Sequence, residues 1–122
     1  MYQVRSGPLA VTIDAPPGAG SARVSLVGDV VMGVEPALAD AVARLSRSRP
    51  DVVVLDLTAV TFVCSTFANF VADVRTAVPD ASLVLHHPSR LARLVLEITG
   101  LDPIPTGGDD AGPAHVRIPR PS

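Results

Sequence analysis

The sequence predicts an α/β fold: a mixed, mostly parallel sheet of four to five strands with helices packed on it, in the order β-β-α-β-α-β-α. Three observations carry that expectation. Residues 51–57, DVVVLDL, are nearly continuous in Val and Leu, as a strand buried on both faces of a helix-flanked sheet would be. Apolar residues at helical spacing lie on either side of this run, at Leu38, Val42 and Leu45 and again at Phe67, Phe70, Val71, Val74 and Val78. Strands that alternate with helices in this way form parallel neighbours joined by right-handed crossovers.

Each element has its own local cause. Residues 9–13 are apolar between Gly7-Pro8 and Pro16-Pro17-Gly18, and residues 23–27 alternate in part and stop at Gly28-Asp29. The two runs suit an antiparallel edge hairpin. A first helix is expected over 35–48, with Glu35 and Pro36 in its first turn, Arg47 and Arg49 near its end, and Pro50 closing it. A second helix is expected over 66–77, ended by Pro79. Residues 82–85 form a further short strand before His86-His87-Pro88. In the third helix Ser89 is the N-cap, Leu91, Leu94, Val95 and Ile98 form the buried stripe, and Gly100 is the C-cap. Beyond Asp102, Pro and Gly are so frequent that 106–122 is expected as a mobile tail on a domain of residues 1–105, with pairing of 115–118 onto a sheet edge as the lesser alternative.

Bulk composition narrows the function. A chain of 122 residues that is 48% hydrophobic can bury one domain's core. A formal charge of -2, no Trp and a single Tyr argue against a nucleic-acid binder. One Cys forms no intramolecular disulfide, and no Cys or His set has metal-ligand spacing, so no metal and no cofactor is expected. The N-terminal segment lacks a signal-peptide run and no apolar stretch approaches bilayer length, so a cytoplasmic protein without membrane insertion is expected.

The chemistry-bearing side chains gather at Cys64, Ser65 and Thr66, where a strand gives way to a helix. Ser65 and Thr66 there read either as N-caps or as exposed hydroxyls able to carry a phosphate near free N–H groups. A helix mouth can activate the Cys64 thiol, but a phosphatase-like loop would need Arg where Phe70 stands, and no second Cys is present. His86 and His87 end a strand expected near the same sheet edge, yet no Gly-x-Ser-x-Gly elbow surrounds Ser65. Asp56 is expected as a structural acceptor, and neither Gly28-Asp29 nor Gly107-Gly108 matches a phosphate-cradling loop. No enzyme active site is expected.

Four stretches, in this order and spacing, resemble the STAS domain of bacterial anti-sigma factor antagonists over about residues 9–105: the turn Gly28-Asp29-Val30-Val31, the strand VVVLDLTAVTFV, the following CSTFANF, and PSRLARLVLEITGLD. The resemblance implies a non-enzymatic binding module that frees a sigma factor by engaging an anti-sigma factor with serine kinase activity. It places the phosphorylated serine at Ser65, with Thr66 as second choice, and implies partner contacts at Gly28, Asp29, Val31, Cys64, Ser65, Thr66, Phe67 and Asn69. The chain departs from the family pattern where Cys64 replaces Asp, Phe67 and Asn69 replace Gly, and Val31 replaces Asp. Phe67 either fills core or offers an apolar contact. The missing acid at position 64 favours the alternative, a STAS-like binding subunit of a larger regulatory or transport assembly that is not phosphorylated. A monomer or weak homodimer is expected, paired through an edge strand or the Phe67 side of the second helix.

Overall fold

The computed structural model describes residues 2–16, 18, 20–101, 104–106 and 115–119, with the backbone alone at 104–106 and 115. The elements are β1 (Tyr2–Ser6), β2 (Leu9–Asp14), β3 (Ser21–Val30), α1 (Glu35–Ser48), β4 (Val52–Val63), α2 (Ser65–Ala77), β5 (Ser82–His86), α3 (Arg90–Ile98), β6 (Ile104–Thr106) and β7 (His115–Ile118). They form one mixed sheet in the order β1-β2-β3-β4-β5-β7-β6. The centre, β3-β4-β5, is parallel, and antiparallel strands flank it on both sides.

The strand count exceeds the expected four to five because two short segments also pair. Tyr2–Ser6 folds back at Gly7-Pro8 onto β2 and takes the edge that β2 was expected to hold. At the other end β7 pairs with β5, and β6 with β7. The expected tail over 106–122 therefore departs at 115–118, where Val116 and Ile118 are buried and drive the strand onto the sheet. The remainder of that tail, 107–114 and 120–122, with Gly107 and Gly108, lies outside the described residues.

The helices cover one face of the sheet. Strands β3, β4 and β5 lie side by side in chain order, so right-handed crossovers lay α1 and α2 on the same side. The register row Ile13–Val24–Leu55–Leu85–Val116 is buried beneath them. The adjacent row, Thr12–Ser25–Asp56–His86, is polar and lies on the uncovered face. The 51–57 run is thus buried on one face only: Val53, Leu55 and Leu57 are buried, while Val52, Val54 and Asp56 are half-exposed. Burial of each Leu or Val of the covered face contributes about 1.5–3 kcal/mol.

Caps follow local chemistry. Arg49 closes α1 in a left-handed conformation, its N–H donating to the Leu45 carbonyl at 3.1 Å. Ser89 caps α3 by accepting from the Ala92 N–H at 3.0 Å. Thr99 is that helix's C-cap, and Gly100 follows it with a φ of 81°. The Gly100 and Leu101 N–H groups then reach the Glu97 and Leu96 carbonyls at 3.1 and 3.0 Å, a Schellman closure.

The buried stripe of α3 is not the expected one. Ala92 and Leu96 face the core, whereas Leu91, Leu94 and Ile98 point to solvent and Val95 lies between. Apolar residues occur on both sides of this helix, so periodicity alone could not say which side turns inward.

Candidate functional site

Strand β4 has twelve residues and β5 has five, so β4 runs on beyond the register of His86 with only β3 beside it. This two-stranded arm ends at the mouth of α2. Its twist is set by two irregularities in the β3–β4 ladder, between Ser25 and Val27 and between Gly28 and Asp29. Gly28 makes the second possible. Its φ is 109°, and a Cβ at that position would overlap the Pro8 carbonyl oxygen. Asp29 N–H donates to the same Pro8 oxygen at 3.3 Å, so the arm is also tied to the β1–β2 turn.

β3 does not stop at Gly28-Asp29 but runs on to Val30 in the ladder with β4, and its end comes together with the helix mouth. Cys64 N–H donates to the Val30 carbonyl at 3.2 Å, and the Thr61 hydroxyl donates to the Asp29 carboxylate. Cys64, with extended dihedrals, occupies the N-cap position of α2, and Ser65 is the first helical residue. Neither Ser65 nor Thr66 is the N-cap, because the strand carries straight through Val63 and the chain turns at Cys64.

The residues of this junction divide by exposure. Ser65 and Asn69, one helical turn apart, are both exposed on one face of α2. Asp29, Val31 and Cys64 are half-buried. Thr66 is only 5% exposed, and Phe67 is 0% exposed and belongs to the core. Of the two readings of Phe67, core filler is the one the fold adopts. Both residues point inward because α2 packs its Thr66, Phe67, Phe70, Val71 and Val74 side against the protein interior.

The Cys64 thiol has a pKa below the ordinary thiol value. The Thr66 hydroxyl contributes most to that shift, followed by the Thr66 N–H. Partial burial and the Glu35 charge oppose them, while the Met32 backbone assists. The first turn of α2 holds no acidic residue, so the positive end of its dipole is uncompensated.

The two histidines stand apart from this cluster. His86 pairs in register with Asp56, seven residues before Val63, which is roughly 20 Å back along the strand. The His86 and His87 rings pack edge-on at 4.1 Å between centroids. Asp56 accepts from Arg23 at 2.8 Å and from the Thr58 hydroxyl and N–H at 2.6 and 3.1 Å. Partial burial pushes its pKa up, but these donors outweigh it and hold the carboxyl at about 2. Asp56 is the structural acceptor that its place in the strand suggested. Among the described residues no three metal-ligating side chains converge, and no helix is long and apolar enough to cross a membrane.

Two residues of the junction escape the sequence patterns. Met32, in the turn before α1, is 81% exposed, and Phe62, on the overhanging arm, is half-exposed. Large apolar side chains so exposed beside a polar helix mouth make a mixed surface suited to a protein partner. Met32 sits directly before Gly33, which has a φ of 102°, in the turn between β3 and α1. A depression of about 870 Å³, lined by residues that include Tyr2, Asp14, Arg44 and Arg47, lies at the far end of α1.

The sequence matches no family model and no curated protein. The structure is similar to that of the anti-sigma factor antagonist SpoIIAA in its unphosphorylated form, with a TM-score of 0.62, 15% identity, and coverage of 75% of this chain and 81% of that one. It is also similar to the crystal structure of an anti-sigma factor antagonist from Mycobacterium paratuberculosis, with a TM-score of 0.54, 26% identity, and coverage of 75% of this chain and 80% of that one. With its parallel β3-β4-β5 centre, α2 springing from the overhanging end of β4, and these two structural neighbours, the chain has a STAS-like α/β fold, the fold of both anti-sigma factor antagonists.

Proposed function

We propose that this domain is an anti-sigma factor antagonist, a binding module that engages an anti-sigma factor with serine kinase activity and is released when Ser65 is phosphorylated. The observation that supports this most directly is the position of Ser65: exposed at the first residue of α2, with Asn69 on the same helix face and the end of β3 held beside it through Cys64 and Val30. The 26% identity to an antagonist of the same fold points the same way.

Docking would use Met32 and Phe62 as apolar contacts around the polar centre of Ser65, Asn69 and Asp29. Gly28 shapes the end of β3, Val31 and Cys64 line the junction, and Thr66 and Phe67 support it from beneath. A phosphate on Ser65 adds a charge of about -1.5 to -2. The helix N-terminus accommodates that charge without unfolding α2, because its free N–H groups and dipole favour an anion there. The same charge makes an apolar partner surface over Met32 expensive to desolvate. Thr66, being buried, would take a phosphate only after local opening, so Ser65 is the modified hydroxyl.

The test is capture of partners from native cell extract by the purified protein, with ATP, followed by intact-mass and peptide analysis. The expected result is an anti-sigma factor in the complex and a single phosphate on Ser65. Ser65→Asp then weakens capture while Ser65→Ala preserves it. A stable complex indifferent to both substitutions and free of phosphate supports instead the constitutive binding subunit, which Cys64 at the helix cap, in place of an acidic residue, already favours.

A further inference from the structure

Helix α3 is apolar on both sides. Ala92 and Leu96 are sealed against the core, yet Leu91, Leu94 and Ile98 are 37%, 47% and 76% exposed. These three fall at i, i+3 and i+7, so they form one outward stripe. An exposed apolar stripe of this kind, on a helix whose inner side already packs on the core, marks a contact surface.

The charges beside the stripe indicate what covers it. Arg90 and Glu97 are both exposed and seven residues apart, about 20° from each other around the helix axis, so they lie on the same flank of the stripe. Suppose a second α3 lies antiparallel across the first, about a two-fold axis near Leu94. Leu94 then meets Leu94 of the second copy, Leu91 meets Ile98, and Arg90 comes within about 2 Å of the height of Glu97 of the second copy. The symmetry makes this ion pair twice. A parallel two-fold arrangement would instead put the two copies' Arg90 and Glu97 on opposite flanks of the contact, where they could not pair. The stripe and its flank are thus self-complementary in the antiparallel sense that a closed two-fold dimer requires.

We propose that a second copy of this chain covers the outward face of α3, forming an isologous dimer through Leu91, Leu94 and Ile98 with paired Arg90–Glu97 contacts. The nine residues of α3 offer about 13 Å of helix, which is short of what an interface of about 1,200–2,000 Å² needs. The dimer is therefore weak and forms at high protein concentration. Phe67, buried in the core, takes no part in it.

Sedimentation equilibrium over a series reaching high micromolar concentration tests this. The wild-type protein is expected to shift reversibly from monomer to dimer, and Leu94→Glu to remain monomeric. Arg90→Glu and Glu97→Arg each raise the dissociation constant roughly tenfold, and the double variant recovers the wild-type value because the inverted pairs re-form. All three substituted positions are on the surface, and an unchanged thermal midpoint under dilute conditions checks that each variant folds. A wild-type protein that stays monomeric throughout, an association indifferent to Leu94→Glu, or a double variant no better than the singles overturns the proposal.

Discussion

Asp56 shows how a single carboxylate acts on the uncovered face of the sheet. It ties Arg23 of β3 to the irregular stretch of β4 through Thr58. Its folded pKa of about 2 lies below the ordinary carboxylate value, so its stabilisation is fully present above the unfolded pKa near pH 4. That stabilisation is lost as the pH falls through about 2. With Arg23 about half exposed, solvent screening reduces the effect to about 1 kcal/mol. Asp56→Asn should therefore lower stability near neutral pH by about that amount and flatten the acid limb between about pH 4 and about pH 2, as read by urea denaturation across pH. The residue was recognisable in the sequence as a polar position in an apolar strand. Its partner Arg23 was not, because Arg23 lies on a neighbouring strand, diagonal to Asp56 and two residues from the Ser25 that the register places opposite.

At the scale of elements, α2 and α3 teach different lessons. The apolar spacing of α2 identified its buried side correctly, since only one side of that helix is apolar. In α3, Leu91, Leu94, Val95 and Ile98 satisfy the helical period as well as Ala92 and Leu96 do, and the larger side chains made the wrong side look like the core. The correction is measurable. Leu96→Ala should cost about 2–5 kcal/mol, whereas Leu94→Ala should change monomer stability by less than about 0.5 kcal/mol, by chemical denaturation at dilute concentration. Equal losses would restore the original stripe. The mouth of α2 was legible as a place but not in detail: Cys64 rather than a hydroxyl residue holds the N-cap, because β4 persists to Val63.

For the whole molecule, the C-terminal strand has the largest consequence. β7 covers the β5 edge and buries Val116 and Ile118, and the Arg75 side chain of α2 donates to the Pro119 carbonyl at 3.3 Å. Removal of residues 115–122 should lower stability by about 3–6 kcal/mol and leave β5 as an open edge. Thermal melting and light scattering would show a lower midpoint and increased self-association, and a truncated protein as stable and as monodisperse as the full chain would show that β7 is dispensable. Local pattern by itself determined the α/β class, the three helices, the central strands and the cluster at Cys64, Ser65 and Thr66, because periodicity, Pro and Gly stops and caps act between near neighbours in the chain. Tertiary structure alone decided which face of the sheet the helices cover, which side of α3 turns inward, and that Thr66 and Phe67 are buried while Ser65 and Met32 stand in solvent. Each of those outcomes depends on strand order and on unequal strand lengths, which bring together residues far apart in the chain and which no single stretch of sequence encodes.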